Sequence, residues 1–184
     1  MRFNTKLLHG NKMGDANTGA TLTPVYQSSA FYQPSAEQHE KLFHNKATGF
    51  SYTRINNPTI FAFEERMTTL EGGLASVACA SGMAAITNAL LNIVTCGQEI
   101  VASTSLYGGS IDVIHDFEAF GIKTVFVDIS DVNAVEAAIN EKTRVIFAET
   151  IGNPKLDVVD IEALAELAHR HELPLVMDNT CLLY

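Results

Sequence analysis

The chain has little of what several common classes of protein need. Its 184 residues contain 12 Lys and Arg against 21 Asp and Glu, which gives a formal net charge of -9 without any basic cluster. Binding to nucleic acid or to an anionic membrane depends on clustered Lys and Arg, so neither is expected as a main partner. Cys79, Cys96 and Cys181 lack the paired spacing of a zinc site, and we interpret them as reduced thiols of a cytoplasmic protein.

Signals for secretion and membrane insertion are also missing. The N-terminal residues contain no apolar stretch of the kind that a signal peptide needs. Residues 73–95 are apolar enough to suggest a membrane span, but Gly82 and polar side chains such as Ser81 and Thr87 interrupt them. We therefore interpret this stretch as a strand, a turn and a helix.

Metal and serine-hydrolase chemistry find no support in the sequence. The 6 histidines share no ligand spacing, and His169 and His171 are two positions apart, so they do not face one another on a helix. No Gly-x-Ser-x-Gly motif follows a predicted strand. The sequence predicts no metal site.

The chain begins with a region that is poor in periodicity and rich in turn formers. We predict that residues 1–57 form an extended, irregular arm. Asn57 and Pro58 are a suitable N-cap and first residue for a helix that ends at Gly72. Residues 58–184 are therefore predicted to be the folded domain, and 47% hydrophobic residues in the whole chain provide for a core.

Predicted strands and helices alternate along this domain. The strands are predicted at residues 75–80, 99–102, 123–127, 144–149 and 175–177, and the helices at 83–94, 109–120, 132–140 and 161–171. Helical connections of this length favour an α/β fold with a mainly parallel sheet and helices on both faces. The last strand has no helix after it, so we expect the domain to be incomplete at its C-terminus.

Polar and aromatic residues follow several of these strands, where parallel sheets bind ligands. Ser81 and Gly82 open a helix and could bind a phosphate, although a plain tight turn is the alternative. Tyr107 could stack on a flat ligand or pack under its loop. Asn153 could donate into the same cleft or form an Asx turn before a proline. Asp178 could face a heteroaromatic nitrogen or serve as a turn residue.

Two further candidates lie in the arm. Arg54 offers a fork of donors that suits a phosphate, and Tyr52 offers a phenolic donor. A solvated loop that ends in a helix cap is the alternative, but it explains only the residues that follow them.

Taken together, these motifs resemble the pyridoxal-phosphate enzymes of cysteine and methionine metabolism. The motifs occur in order over nearly the whole chain: Phe3 to Gly10, Pro24 to Ser28, Tyr52 to Thr59, Leu70 to Gly72, Ala80 to Ile86, Leu106 to Gly109, Glu149 to Pro154, and Asp178 to Thr180. A different phosphate-binding α/β domain would need only residues 81–84 and would leave the other motifs as coincidences.

The resemblance implies the large domain of a type I pyridoxal-phosphate transferase, with the aspartate-aminotransferase-like fold, in a homotetramer of close dimers. It implies that Ser81, Gly82 and Met83 bind the cofactor phosphate. It further implies that Tyr107 is a catalytic residue that also stacks on the pyridine ring, and that Asp178 pairs with the ring nitrogen. Thr180 would lie near the ring, and Asn153 near its phenolic oxygen or the amino-acid substrate. Tyr52 and Arg54 would reach the phosphate of a neighbouring subunit.

Within the family, the resemblance is greatest to O-acetylhomoserine sulfhydrylase, while methionine γ-lyase and cystathionine γ-synthase share most of the same residues. The family's Schiff-base lysine follows a Ser-x-Thr-Lys pattern after the position of Asp178, and none of the lysines here has that context. The chain therefore resembles a truncated form that is inactive alone. The alternative is a non-catalytic paralogue that pairs with a full-length subunit and contributes Tyr52 and Arg54.

Overall fold

The structure is a computed structural model that describes residues 2–10 and 15–180. The chain divides into two compact units, residues 1–78 and residues 79–184. The predicted boundary lay after residue 57. The helix that begins at Pro58 packs against the helix that begins at Phe3, so both belong to the first unit.

The first unit contains three helices: α1 (Phe3–His9), α2 (Ala36–Phe43) and α3 (Pro58–Glu71). The prediction of an irregular arm is wrong for α1 and α2. Ser35 caps the start of α2, since its side chain accepts a hydrogen bond from the N–H of Gln38 at 3.1 Å. The cap predicted for α3 is confirmed, since Asn57 Oδ1 accepts the N–H of Thr59 at 2.8 Å. Gly72 ends α3 in the left-handed conformation with φ 63°.

The predicted buried strand at residues 75–80 is wrong. These residues pair with no strand within residues 2–10 and 15–180, and Val77 is 83% exposed. Two side chains of α3 hold the segment instead. Glu64 Oε1 accepts the N–H of Ala78 at 2.8 Å, and the hydroxyls of Thr68 and Ser76 lie 2.8 Å apart. An apolar pattern indicates that residues can be buried, but a strand also needs a neighbour with which to form hydrogen bonds.

The second unit is a parallel sheet of four strands in the order β2-β1-β3-β4. This arrangement confirms the predicted mainly parallel sheet. The strands are β1 (Glu99–Ser103), β2 (Lys123–Val127), β3 (Thr143–Glu149) and β4 (Leu175–Asp178). The helices are α4 (Gly82–Ile93), α5 (Gly108–Asp116), α6 (Val132–Ala138) and α7 (Ile161–Arg170), and a 3-10 turn (Phe117–Phe120) follows α5.

Helices cover both faces of the sheet, as predicted. Successive residues of a strand point to opposite faces, so each strand contributes to two cores. On one face Phe147 of β3 packs with Leu90 of α4 and Ile114 of α5. On the other face Ile146 packs with residues of α6 and α7, including Leu164. The parallel strands thus end at one common edge, where the loops with the candidate residues begin.

Three further findings concern the described part of the chain. None of its helices is long and apolar enough to cross a membrane. Across residues 2–10 and 15–180, no group of three His, Cys, Asp or Glu side chains could hold a metal ion. Cys79 and Cys96 are free thiols, and Cys181 lies outside the described residues.

Candidate active site

The loop before α4 presents the N-terminus of a helix at the carboxyl edge of the sheet. Ser81 is the N-cap, and its Oγ accepts a hydrogen bond from the N–H of Ala84 at 3.1 Å. Gly82 is the first residue of the helix and Met83 the second. A Cβ at Gly82 would meet no heavy atom within 4 Å, so the space above this helix end is open. Free N–H groups and the helix dipole favour an anion here.

Tyr107 lies beside this helix end. Tyr107 is 52% exposed, so it does not pack under its loop. A Cβ added at Gly109 would lie 2.6 Å from Cε1 of Tyr107 and 3.4 Å from Sδ of Met83. The absence of a side chain at Gly109 therefore allows Tyr107 and Met83 to approach each other. A phosphate at α4 and a flat ring on Tyr107 would be neighbours.

Asp178 ends β4 at the same edge. Its Oδ1 accepts two hydrogen bonds from Thr180, one from the backbone N–H at 2.9 Å and one from the hydroxyl at 2.5 Å. Asp178 thus serves as a turn residue, which was the alternative interpretation from the sequence. Both bonds use Oδ1, so Oδ2 has no hydrogen-bond partner among residues 2–10 and 15–180. This oxygen can accept a further donor, which makes the two roles compatible.

Glu149 joins these groups at the end of β3. It is 6% exposed, and its Oε1 accepts the N–H of Tyr107 at 2.6 Å. Burial raises the pKa of the Glu149 carboxyl, and the nearby Asp178 carboxylate adds to the rise. The N–H groups of Tyr107 and Asn153 lower the same pKa by hydrogen bonding. Glu149 and Asp178 are register partners on neighbouring strands.

A second contact joins the loops that follow β1 and β3. The hydroxyl of Ser105 donates a hydrogen bond to Asp157 Oδ1 at 3.0 Å. Gly152 lies against Ser105, because a Cβ added there would be only 2.3 Å from the Ser105 Oγ. Only glycine fits at this position without moving the loop. The loop that carries Asn153 is therefore held close to the loop that carries Tyr107.

Asn153 itself takes part through its backbone. Its N–H lowers the pKa of the Glu149 carboxyl, and its side chain is exposed. An exposed amide at this edge is free to turn toward a ligand, so the predicted role of Asn153 stays a prediction.

Tyr52 and Arg54, the two candidate residues in the predicted arm, lie in the first unit. Tyr52 is 40% exposed, and the guanidinium carbon of Arg54 lies 5.2 Å from the centroid of its ring. A cation over an aromatic face is attractive and keeps the two donors together. Tyr52 also forms an isolated antiparallel bridge with Ala30, which fixes its backbone. Their predicted contact with a phosphate stays a prediction.

The second unit thus brings together the predicted residues Ser81, Gly82, Met83, Tyr107, Asn153, Asp178 and Thr180. Sequence reasoning assigned no role to Glu149, Ser105 or Asp157. The sequence did contain a signal for Glu149, because this glutamate ends an apolar strand. A glutamate is rarely buried unless it is hydrogen-bonded, so its position there indicates a specific contact. Ser105 and Asp157 offered no such signal.

Comparison with known proteins agrees with this geometry. The family model described as "Cys/Met metabolism PLP-dependent enzyme" matches residues 4–183. The O-acetyl-L-homoserine sulfhydrylase of Leptospira meyeri is 46% identical over 96% of this chain and 40% of its own length. The L-methionine gamma-lyase of Pseudomonas putida is 38% identical over 97% of this chain and 45% of its own length. The chain therefore spans less than half the length of these relatives.

A solved structure supports the same assignment of fold. A Campylobacter jejuni protein described as an O-acetylhomoserine (thiol)-lyase superposes with a TM-score of 0.91 at 32% identity. The match covers 98% of this chain and 45% of that one, whose structure contains N'-pyridoxyl-lysine-5'-monophosphate. The predicted fold of the pyridoxal-phosphate enzymes is confirmed. The chain belongs to the pyridoxal-phosphate-dependent enzymes of cysteine and methionine metabolism.

Proposed function

We propose that this chain is the N-terminal, cofactor-binding part of an enzyme of the O-acetylhomoserine sulfhydrylase type. Such an enzyme replaces acetate by sulfide at the γ-carbon of the amino acid. The observation that carries the proposal is the meeting of the α4 N-terminus, Tyr107 and Asp178 at one sheet edge. Identity of 46% with a sulfhydrylase, against 38% with a methionine γ-lyase, supports the choice of reaction.

The residues present fit pyridoxal phosphate. The dianionic phosphate suits the N-terminus of α4, where Ser81 adds a hydroxyl and Gly82 leaves open space. The flat ring suits the exposed face of Tyr107. The ring nitrogen, once protonated, suits Oδ2 of Asp178, which has no other partner in the described part of the chain.

Bound pyridoxal phosphate supplies an electron sink for the bonds at the amino-acid α-carbon. The chain's own residues bind and orient it. Ser81, Gly82 and Met83 hold the phosphate, and Tyr107 covers one ring face and excludes water there. Asp178 keeps a proton at the ring nitrogen, because its negative charge favours the protonated form. Thr180 holds the Asp178 carboxylate in place through two hydrogen bonds.

We predict that the 184-residue chain binds pyridoxal phosphate without turning over O-acetylhomoserine. Its residues match the cofactor contacts, but no lysine lies in the Ser-x-Thr-Lys context that the resemblance implies. The measurement is a titration with pyridoxal phosphate followed by absorbance, together with an assay for homocysteine from O-acetylhomoserine and sulfide. A borohydride-reducible lysine adduct together with turnover would show that the chain is catalytically sufficient. A chain that binds no pyridoxal phosphate would contradict the proposed function.

A methionine γ-lyase or cystathionine γ-synthase reaction is the alternative, because these enzymes act at the same carbon. Incubation of a catalytically complete form with methionine, and separately with cysteine and an activated homoserine, distinguishes the reactions. Release of methanethiol from methionine would favour the lyase. Formation of cystathionine would favour the synthase.

We further propose a cytoplasmic homo-oligomer, by family a tetramer of close dimers, in which the first unit contacts a neighbouring subunit. The helices of this unit contain no buried residue among those described, and large apolar side chains such as Ile60, Phe63 and Leu8 are exposed. Exposed apolar surface of this extent marks an interaction site. A non-catalytic chain that contributes Tyr52 and Arg54 to a full-length subunit would use the same surface.

We expect the purified chain to have the mass of a dimer or a larger assembly in light scattering. The reason is that apolar side chains of the first unit lose contact with water on association. Replacing Phe63 and Ile60 with serine should shift the mass toward the monomer, whereas replacing the exposed Phe120 of the second unit should leave it unchanged. A monomeric mass for the unaltered chain would contradict the proposal.

A further inference from the structure

Glu149 is a buried carboxylate without a cationic partner. Its exposure is 6%, and it forms no ion pair within residues 2–10 and 15–180. A charge in this position costs free energy unless hydrogen bonds compensate for the loss of water. The structure provides such bonds from the backbone rather than from Lys, Arg or His. A carboxylate in these surroundings needs an explanation beyond the packing of the core.

The two backbone donors belong to two different loops. The N–H of Tyr107, at the start of α5, donates to Glu149 Oε1 at 2.6 Å. The N–H of Asn153, in the loop after β3, also acts on this carboxylate and lowers its pKa. One side chain thus joins the loop that presents the Tyr107 ring to the loop that presents the Asn153 amide. Hydrogen bonds to a charged acceptor are roughly twice as strong as neutral ones.

The position of Glu149 in the sheet also places it beside Asp178. The two residues are register partners on β3 and β4, and their like charges interact. A second negative charge near Asp178 favours a proton on any basic nitrogen bound there. The other groups that act on the Glu149 carboxylate are the N–H groups of Tyr107 and Asn153. Glu149 therefore interacts with three residues that are candidates for binding the cofactor: Tyr107, Asn153 and Asp178.

We propose that Glu149 is a positioning residue, whose buried carboxylate holds the backbones of Tyr107 and Asn153 so that the Tyr107 ring stays parallel to the bound cofactor ring. The proposal rests on the proposed function, because it takes the ring contact of Tyr107 from there. The hydrogen bond from the Tyr107 N–H to Glu149 is independent of the proposed function. The Ser105–Asp157 contact and the tight fit of Gly152 hold the same two loops together at a second point. Loss of the Glu149 charge should thus loosen Tyr107 without unfolding the loops.

The test compares Glu149→Gln with Glu141→Gln in the full 184-residue chain. Glutamine has nearly the same shape but one acceptor oxygen instead of two, and it has no charge. Glu141 is an exposed residue in the turn before β3, so its replacement controls for the lost charge. The first measurement is amide hydrogen exchange at Tyr107 and Asn153 without pyridoxal phosphate. We expect about tenfold faster exchange in Glu149→Gln, as a weakened charged hydrogen bond predicts.

The second measurement is the free energy of unfolding against pH. The folded-state pKa of Glu149 is raised, so the unfolded chain loses this proton first. Stability should therefore fall as pH rises from the ordinary glutamate value of 4.5 through the folded-state pKa. The Glu149→Gln variant should not show the decrease in unfolding free energy that Glu149 causes, whereas Glu141→Gln should still show it. This readout also confirms that the variant folds.

The third measurement is the affinity for pyridoxal phosphate, which should fall about tenfold in Glu149→Gln alone. Unchanged exchange at both Tyr107 and Asn153 would overturn the proposal, and so would faster exchange with unchanged affinity. If the unaltered chain binds no pyridoxal phosphate while Glu149→Gln speeds exchange at Tyr107, the proposed function fails but the hold of Glu149 on the loop stands. The two failures are therefore distinguishable.

Discussion

Replacing Phe147 with alanine is expected to lower the free energy of unfolding by about 3–5 kcal/mol, which is the usual range for a large aromatic residue in a core. The Phe147 side chain is fully buried in β3 and packs with residues of α4 and α5. Alanine would leave a cavity that a central strand cannot close, because β1 and β4 hold β3 on both sides. The measurement is urea denaturation followed by circular dichroism.

Phe120 provides the matched control for this experiment. It is 62% exposed in the turn after α5, so Phe120→Ala should change the free energy of unfolding by less than about 1 kcal/mol. Many domains have a total stability of only about 5–15 kcal/mol, and Phe147→Ala could therefore leave the chain largely unfolded. Equal stabilities of the two variants would contradict the described core.

Replacing Asp178 with asparagine is expected to weaken the binding of pyridoxal phosphate by about 10- to 100-fold. A hydrogen bond to a charged group contributes about 1.5–3 kcal/mol, and each 1.4 kcal/mol changes an affinity tenfold. Asparagine keeps an Oδ1 that can accept the N–H and hydroxyl of Thr180, so the turn after β4 should survive. The change therefore removes mainly the negative charge that faces the ring nitrogen.

The measurement is a titration with pyridoxal phosphate, followed by the quenching of tyrosine fluorescence and by absorbance. Asp116→Asn is the control, because Asp116 is exposed at the end of α5 and makes no side-chain cap. This control should bind the cofactor like the unaltered chain. An Asp178→Asn variant that binds equally well would remove Asp178 from the proposed ring contacts, whereas the contacts at α4 would be unaffected.

Local sequence signals predicted the helices and strands of the second unit well. The helix predicted at residues 161–171 forms as α7, and Oδ1 of Asp160 caps it by accepting the N–H of Ala163 at 3.0 Å. Asp131 opens α6 in the same way. Such caps involve residues only a few positions apart, so the sequence contains all the groups that form them. Helix α5 shows the limit, because it ends at Asp116 and a 3-10 turn forms the rest of the helix predicted at residues 109–120.

One error arose where a distant partner decides the structure, and another where a local pattern is ambiguous. Residues 75–80 have an apolar pattern, but no strand of the described chain pairs with them. The arm was predicted to be irregular from its turn formers, yet Ser35 caps a helix there. Turn formers and helix caps are the same residue types, so a local pattern alone does not separate the two.

The candidate site divides in the same way. Ser81, Tyr107 and Asp178 could be identified from sequence because each follows a predicted strand in a recognisable motif, although the strand predicted before Ser81 does not form. The role of Glu149 could not, since Tyr107 and Glu149 are 42 positions apart and only the parallel pairing of β1 with β3 brings them together. The need for glycine at position 152 likewise depends on Ser105, which lies on another loop.

By itself, the sequence determined the family, the alternation of strands and helices, and the residues at the strand ends. These properties depend on short motifs and on periodicity, both of which are local. The tertiary structure decided which strand ends are neighbours, which oxygen of Asp178 is free, and that Glu149 is buried between two loops. Burial and hydrogen bonding between distant segments depend on how the sheet is assembled, and no local pattern specifies them.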